Sequence, residues 1–190
     1  MPPLPSTASR SELTRRDIAC RAFARQDGLI DVEGSLIDVR AYDTENRWRG
    51  VVRAGNPVHA MHVRLTLGDD RIVREVAVAM EQAPFPVCLE VEPNLQRLVG
   101  LAIGPGFIRE MHSRIGHTEG CTHIATLVQA LANVAVQALA GKARQAGAGK
   151  TDLTVFGGRV PGRPPLIDTC HSYAAGSPIV KVLFPEHYRR

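Results

Sequence analysis

Residues 58–80 read VHAMHVRLTLGDDRIVREVAVAM, and this stretch decides the fold class. Val63, Leu65 and Leu67 alternate with Arg64, Thr66 and Gly68, the two-residue period of a strand with one buried and one wet face. Leu67-Gly68-Asp69-Asp70 is built from turn formers, and Ile72 to Met80 resumes an apolar-rich run, so the stretch predicts an antiparallel hairpin. Towards the N-terminus, Val51 to Arg53, Leu36 to Val39, Leu29 to Val32 and Ala19 to Ala24 read as further strands. Glu33-Gly34 and Asp27-Gly28 punctuate them as turns. Residues 1–16 are rich in Pro, Ser and Thr and read as a mobile tail.

Towards the C-terminus the character changes after Pro84 and Pro86. Pro93 opens a short helix that runs to Gly100, and Phe107 to Ile115 reads as another. The clearest helix spans Thr122 to Gln145. Ile124, Leu127, Val128, Leu131, Val134, Ala135, Ala138 and Leu139 recur there at three- and four-residue spacing. Its opposite face is mostly small or uncharged, so it is expected to be central and buried. Asp152 to Val155, Leu166 to Tyr173 and Ile179 to Leu183 read as short strands. The expected fold is α+β: an antiparallel sheet, a central helical segment and C-terminal strands, in a single domain over residues 17–190.

The 190 residues are 44% hydrophobic and 22% charged, enough to bury a real core. The net charge of +4 is local, since residues 141–190 hold eight basic groups against three acidic ones. With a nearly neutral body and only 5% aromatic residues, the chain is not expected to bind nucleic acid. Gln129, Asn133 and Gln137 interrupt its most apolar run, so no membrane span is expected. The first residues, MPPLPSTASRS, lack a signal peptide's charged and apolar regions. The expectation is a cytoplasmic protein with its four cysteines reduced, with self-association left open.

Gly116-His117-Thr118-Glu119-Gly120-Cys121-Thr122-His123 carries the strongest chemical signal. Cys121 sits where unpaired helical N–H groups and the helix dipole favour a thiolate, and at a helix start His123 can converge with it. Against this, Thr122 can serve as N-cap with Cys121 a small buried hydrophobe. Cys88, Cys170 and His59 complete a thiolate and imidazole mix that zinc or iron accepts. His59 and His62 are three apart in a strand, so only one can face a shared site. Cys20 is expected in the core, His112 at the surface, and His117 beside Cys121. Asp31 and Glu33 share a strand face, where they could act as acid, base or hard-metal ligand; with Asp38, they are more simply read as a solvated, turn-rich hairpin surface. Gly100 to Gly106 lacks the pattern of a phosphate loop.

The chain resembles a widespread bacterial family catalogued as a domain of unknown function. The features that carry the resemblance are Asp27-Gly28, Asp31-Val32-Glu33-Gly34 and Asp38; Gly55-Asn56-Pro57-Val58-His59; Cys88; Gly120-Cys121-Thr122-His123; and Cys170 before Pro185 and Tyr188. It implies that His59, Cys88, Cys121, His123 and Cys170 belong to the family pattern. The functional expectation is an enzyme holding one Zn or Fe ion, with Cys121 and His123 catalytic. Its reaction would be hydrolysis or lyase chemistry on a small carboxylated, aromatic or acyl-thioester metabolite, and its C-terminal basic groups suit an anionic one. A metal-free variant keeps Cys121 as nucleophile and His123 as base. The alternatives are a metal or iron–sulfur carrier and a non-catalytic module with structural zinc.

Overall fold

A computed structural model describes residues 8–146, 164 and 166–190. Its framework is a four-stranded antiparallel sheet in the order β1-β2-β5-β6, formed by Thr14–Ala24, Ile30–Arg40, Pro57–Leu67 and Val73–Gln82. A small ribbon, β3 (Thr44–Asn46) with β4 (Gly50–Val52), is inserted between β2 and β5. β1 begins at Thr14, so three residues assigned to the tail belong to the sheet. The turns at Asp27-Gly28 and Gly68–Arg71 join β1 to β2 and β5 to β6 as their residue types require.

Glu33-Gly34 is not a turn. β2 runs straight through it, with Gly34 paired to Cys20 on one side and Val63 on the other. The glycine is there for a tertiary reason. A Cβ at position 34 would lie 2.8 Å from both Leu127 Cδ1 and Leu131 Cδ2, side chains of the helix above.

That helix is α2 (Thr122–Gln145), and it follows α1 (Phe107–Ile115). Ile124, Leu127, Val128, Leu131 and Ala135 pack onto the face that carries Val32, Leu36, Met61, Val63 and Leu65, forming the main core. Its far end is pinned by Lys142, whose Nζ donates to Gly28 O at 2.5 Å and to Asp69 Oδ1 at 2.6 Å. By length and composition, Thr122–Ala143 suffices to cross a membrane, with a mean hydropathy of 1.5. Gln129, Asn133 and Gln137 do not take the helix below that length and hydropathy. Half of the window is buried inside the fold, which accounts for much of its apolar character.

Tight 3-10 turns run over Pro86–Leu98, earlier than the helix expected from Pro93. Leu166 to Tyr173 and Ile179 to Leu183 are not strands: the first holds turns, with a 3-10 turn at His171–Tyr173, and the second is a short helix, α3 (Pro178–Leu183). Ser177 caps α3 by accepting from Val180 N at 3.1 Å, and Pro178 at the first helical position suits a helix start. This segment has its own small cluster of Ile167, Ala175, Val180 and Phe184. The strand expected over Asp152 to Val155 lies outside the described residues.

Candidate functional site

Strand register assembles the site. Arg16 on β1, Asp38 on β2 and His59 on β5 are direct neighbours, forming one row across three strands. Asp38 shares the parity of Ile30, Val32, Gly34 and Leu36, so it points to the helix-covered face rather than to the solvated one. The β2–β5 register shifts immediately after it, between Asp38 and Val39. Such irregularities often mark places where a sheet aims a side chain. His62 has the opposite parity to His59. It lies on the other face, with its Nε2 3.5 Å from Glu81.

The fourth member comes from α2. The turn before that helix is tight, because a Cβ on Gly120 would meet the Ile115 carbonyl oxygen at 2.0 Å. Cys121 follows, and its carbonyl accepts the first helical bond from Ala125 N at 2.9 Å, so Cys121 rather than Thr122 holds the cap position. His123, in the first turn, then hangs over the Arg16–Asp38–His59 row.

Arg16 grips Asp38 through two parallel bonds, Nε to Oδ1 at 2.6 Å and Nη2 to Oδ2 at 2.7 Å. The same Oδ2 lies 3.0 Å from His59 Nδ1 and 3.6 Å from His123 Nε2. The two imidazoles stack with centroids 3.8 Å apart and planes inclined by 30°. The ligand atoms of Asp38, His59 and His123 all lie within 4.8 Å of one another. His59 Nδ1 is sealed from solvent, with Asp38 Oδ2 as its polar neighbour at 3.0 Å.

Protonation states favour ligation. Burial pushes the His59 imidazole below its ordinary pKa, repulsion from His123 adds to this, and Asp38 opposes it. Burial likewise depresses His123, helped by Arg16 and opposed by Asp38. Both rings are therefore neutral at pH 7, the form that offers a lone pair. Burial pushes the Asp38 carboxyl up, but the hydrogen bonds and charge of Arg16, with the imidazoles, outweigh it and hold the group below the usual carboxylate range.

Two neutral imidazoles and a carboxylate form a donor set that zinc or iron accepts. Ligand atoms around a tetrahedral zinc lie about 3.3 Å apart, and the distances of 3.0 and 3.6 Å from Asp38 Oδ2 bracket that spacing.

Cys121 stands beside this group rather than in it. Its Sγ lies 3.5 Å from His123 Nδ1, the ring nitrogen remote from Asp38. Cys88 is half-buried in the 86–98 turns and Cys170 is exposed in the C-terminal segment. Neither belongs to the group that converges within 4.8 Å. Cys20 is half-buried against the main core, and burial raises its thiol pKa. His117 is exposed in a 3-10 turn, and His112 is exposed with its Nε2 3.1 Å from Gln129 Nε2. Asp31 and Glu33 lie on the opposite sheet face, where Asp31 accepts from Thr66 Oγ1 at 2.6 Å.

Reading by residue type misses Arg16 and places Asp38, one of the features that carry the family resemblance, on a solvated surface. The signal for Asp38 lay in its parity with Ile30, Val32 and Leu36, which places it on the buried stripe. No curated protein and no solved structure matches this chain. The model of the family described as "Protein of unknown function (DUF2889)" matches residues 14–137, which include all of the Arg16–Asp38–His59–His123 cluster and end before Cys170, and the chain belongs to that family.

Proposed function

We propose that Asp38, His59 and His123 hold one zinc or iron ion and that the protein is a metal-dependent hydrolase or lyase. Its substrate would be a small carboxylated, aromatic or acyl-thioester metabolite. The observation that carries this reading is the convergence of the three ligand atoms within 4.8 Å, with His59 Nδ1 sealed from solvent 3.0 Å from Asp38 Oδ2. Three protein ligands leave a coordination position for water or a substrate oxygen, and an ion so held polarises a carbonyl or activates that water. Arg16 positions the carboxylate through both oxygens. Cys121 positions the His123 ring by engaging its second nitrogen, the part that outer partners commonly play for metal-bound histidine. Arg16 keeps 42% of its side chain exposed, so part of the guanidinium is free to meet an anionic substrate.

The iron–sulfur alternative has less support, because the convergent group among the described residues contains no sulfur. A structural zinc asks for four protein ligands, and three converge here. A metal-free second reading draws on the 3.5 Å contact of Cys121 with His123, whose other nitrogen faces Asp38 at 3.6 Å. That is the order of nucleophile, base and orienting acid in acyl transfer. Metal analysis of the purified protein separates the two. About one zinc or iron per chain, lost in His59→Ala and His123→Ala, is expected. A chain that takes up neither ion on titration, with His59→Ala behaving as wild type, overturns the metal reading and leaves the thiol reading in place.

A further inference from the structure

The sheet has two edges, β1 and β6, and the chain treats them differently. The 86–98 turns cover β6: Glu92 accepts from Met80 N at 2.9 Å, and Gln96 Nε2 donates to Val76 O at 2.9 Å. β1 is bare. Ten of its eleven residues are exposed, and it pairs with β2 from Thr14–Arg40 to Ala24–Ile30 without a bulge. At about 3.4 Å per residue this edge is about 37 Å long, and its free face is a template for another strand. Helix α2 lies over β1 and β2, on the β1 side of the sheet. From Thr122 to Gly141 it contains no Asp, Glu, Lys or Arg, although Thr126, Asn133 and Gln137 are exposed and Val134 is half-buried. The solvated face of a helix normally carries charge, so an uncharged face beside an open sheet edge suits a protein neighbour.

We propose that this neighbour is a second copy of the chain. The two β1 strands pair antiparallel about a two-fold axis at Ala19, joining two four-stranded sheets into one of eight strands with the α2 helices side by side. Charge favours this register. About Ala19, Asp17 stands opposite the partner's Arg21, twice over, on the outer sheet face. Moving the axis to Asp17 or to Arg21 sets like charges face to face, which opposes association. Arg21 makes no ion pair among the described residues, whereas Asp17 is held only by its strand neighbour Arg15 at 3.0 Å. On the inner face the same register brings Ile18, 39% exposed in the single chain, against the partner's Cys20. The interface needs no metal.

Sedimentation equilibrium of the full chain tests this, with a dimer expected for wild type. Asp17→Arg and Arg21→Asp each place like charges across the axis, twice, and each is expected to raise the dimer dissociation constant about 100-fold. An equimolar mixture of the two variants restores opposite charges at both crossings, so it is expected to dimerise, as is the double variant D17R/R21D. The mixture also shows that each variant is folded. A monomeric wild type, single variants that dimerise as well as wild type, or a mixture that stays monomeric would each overturn the proposal. A monomer that binds phosphatidylcholine and phosphatidylglycerol vesicles would assign the uncharged helix face to a lipid surface instead.

Discussion

Asp38→Asn in chelator-treated protein isolates the electrostatics of the site from any metal. Asparagine keeps the shape and still accepts one bond from Arg16, so the charge is the main change. Breaking a fully buried pair costs about 3–5 kcal/mol, and an exposed pair contributes about 0.2–1 kcal/mol. Asp38 keeps 12% of its side chain exposed and Arg16 keeps 42%, so the pair sits between these limits with one partner well screened. A loss of about 1–2 kcal/mol at pH 8 is expected, or a drop in Tm of about 3–6 °C for a chain of this size.

The pH dependence gives this prediction a distinctive shape. Both imidazoles have folded pKa values below the unfolded value of about 6.5, so their contribution is complete above that pH and is lost as the pH falls below it. In wild type the Asp38 carboxylate supports the protonated rings and softens the loss. Without it the rings resist protonation further, so the gap between wild type and variant widens from about pH 6.5 downward. The carboxyl itself is depressed below about 3.9, so its contribution is present above that value and lost as the pH falls through its folded pKa. The gap must therefore close again below about pH 4. Urea unfolding at half-unit pH steps measures it. A variant within about 0.3 kcal/mol of wild type at pH 8, or a gap that does not change with pH, refutes the electrostatic account.

Three further substitutions test the architecture around the site. Cys121→Ala is expected to weaken zinc binding about 10–100-fold while keeping one site at saturation; complete loss of the site in competition titrations would make Cys121 a ligand instead. Gly34→Val drives side-chain atoms into Leu127 and Leu131, which a Cβ alone would approach to 2.8 Å. It is expected to cost about 1–3 kcal/mol and to weaken zinc binding, because His123 rides on the displaced helix, and a variant of wild-type stability and affinity would contradict this. Ser177→Ala removes the cap of α3 and is expected to cost about 1 kcal/mol locally, seen as faster hydrogen exchange at Val180, with zinc binding unchanged. Slower zinc uptake in that variant would tie the C-terminal segment to the site.

What could be read from the chain depended on whether the controlling interaction was local. The helices at Phe107–Ile115 and Thr122–Gln145 match the expected ranges, because apolar periodicity and flanking glycines are local signals. Gly34 misled because a turn and a close helix crossing both select glycine, and only the contacts with Leu127 and Leu131 tell them apart. Ile179 to Leu183 looked like a strand by side-chain type, while Ser177 and Pro178 were signalling a helix start. At the site, residue type alone singled out His59, Cys121 and His123. Arg16 becomes visible, and Asp38 takes its place in the site, only through the register that sets Arg16 opposite Asp38 and Asp38 opposite His59. Register also explains why these residues work as a unit. A slip of one residue in β2 would turn Asp38 to the solvated face and leave Arg16, His59 and His123 without their carboxylate. The buried stripe of Ile30, Val32 and Leu36 opposes such a slip, since it would expose all three together. The core that stabilises the sheet thereby also holds Asp38 in the site.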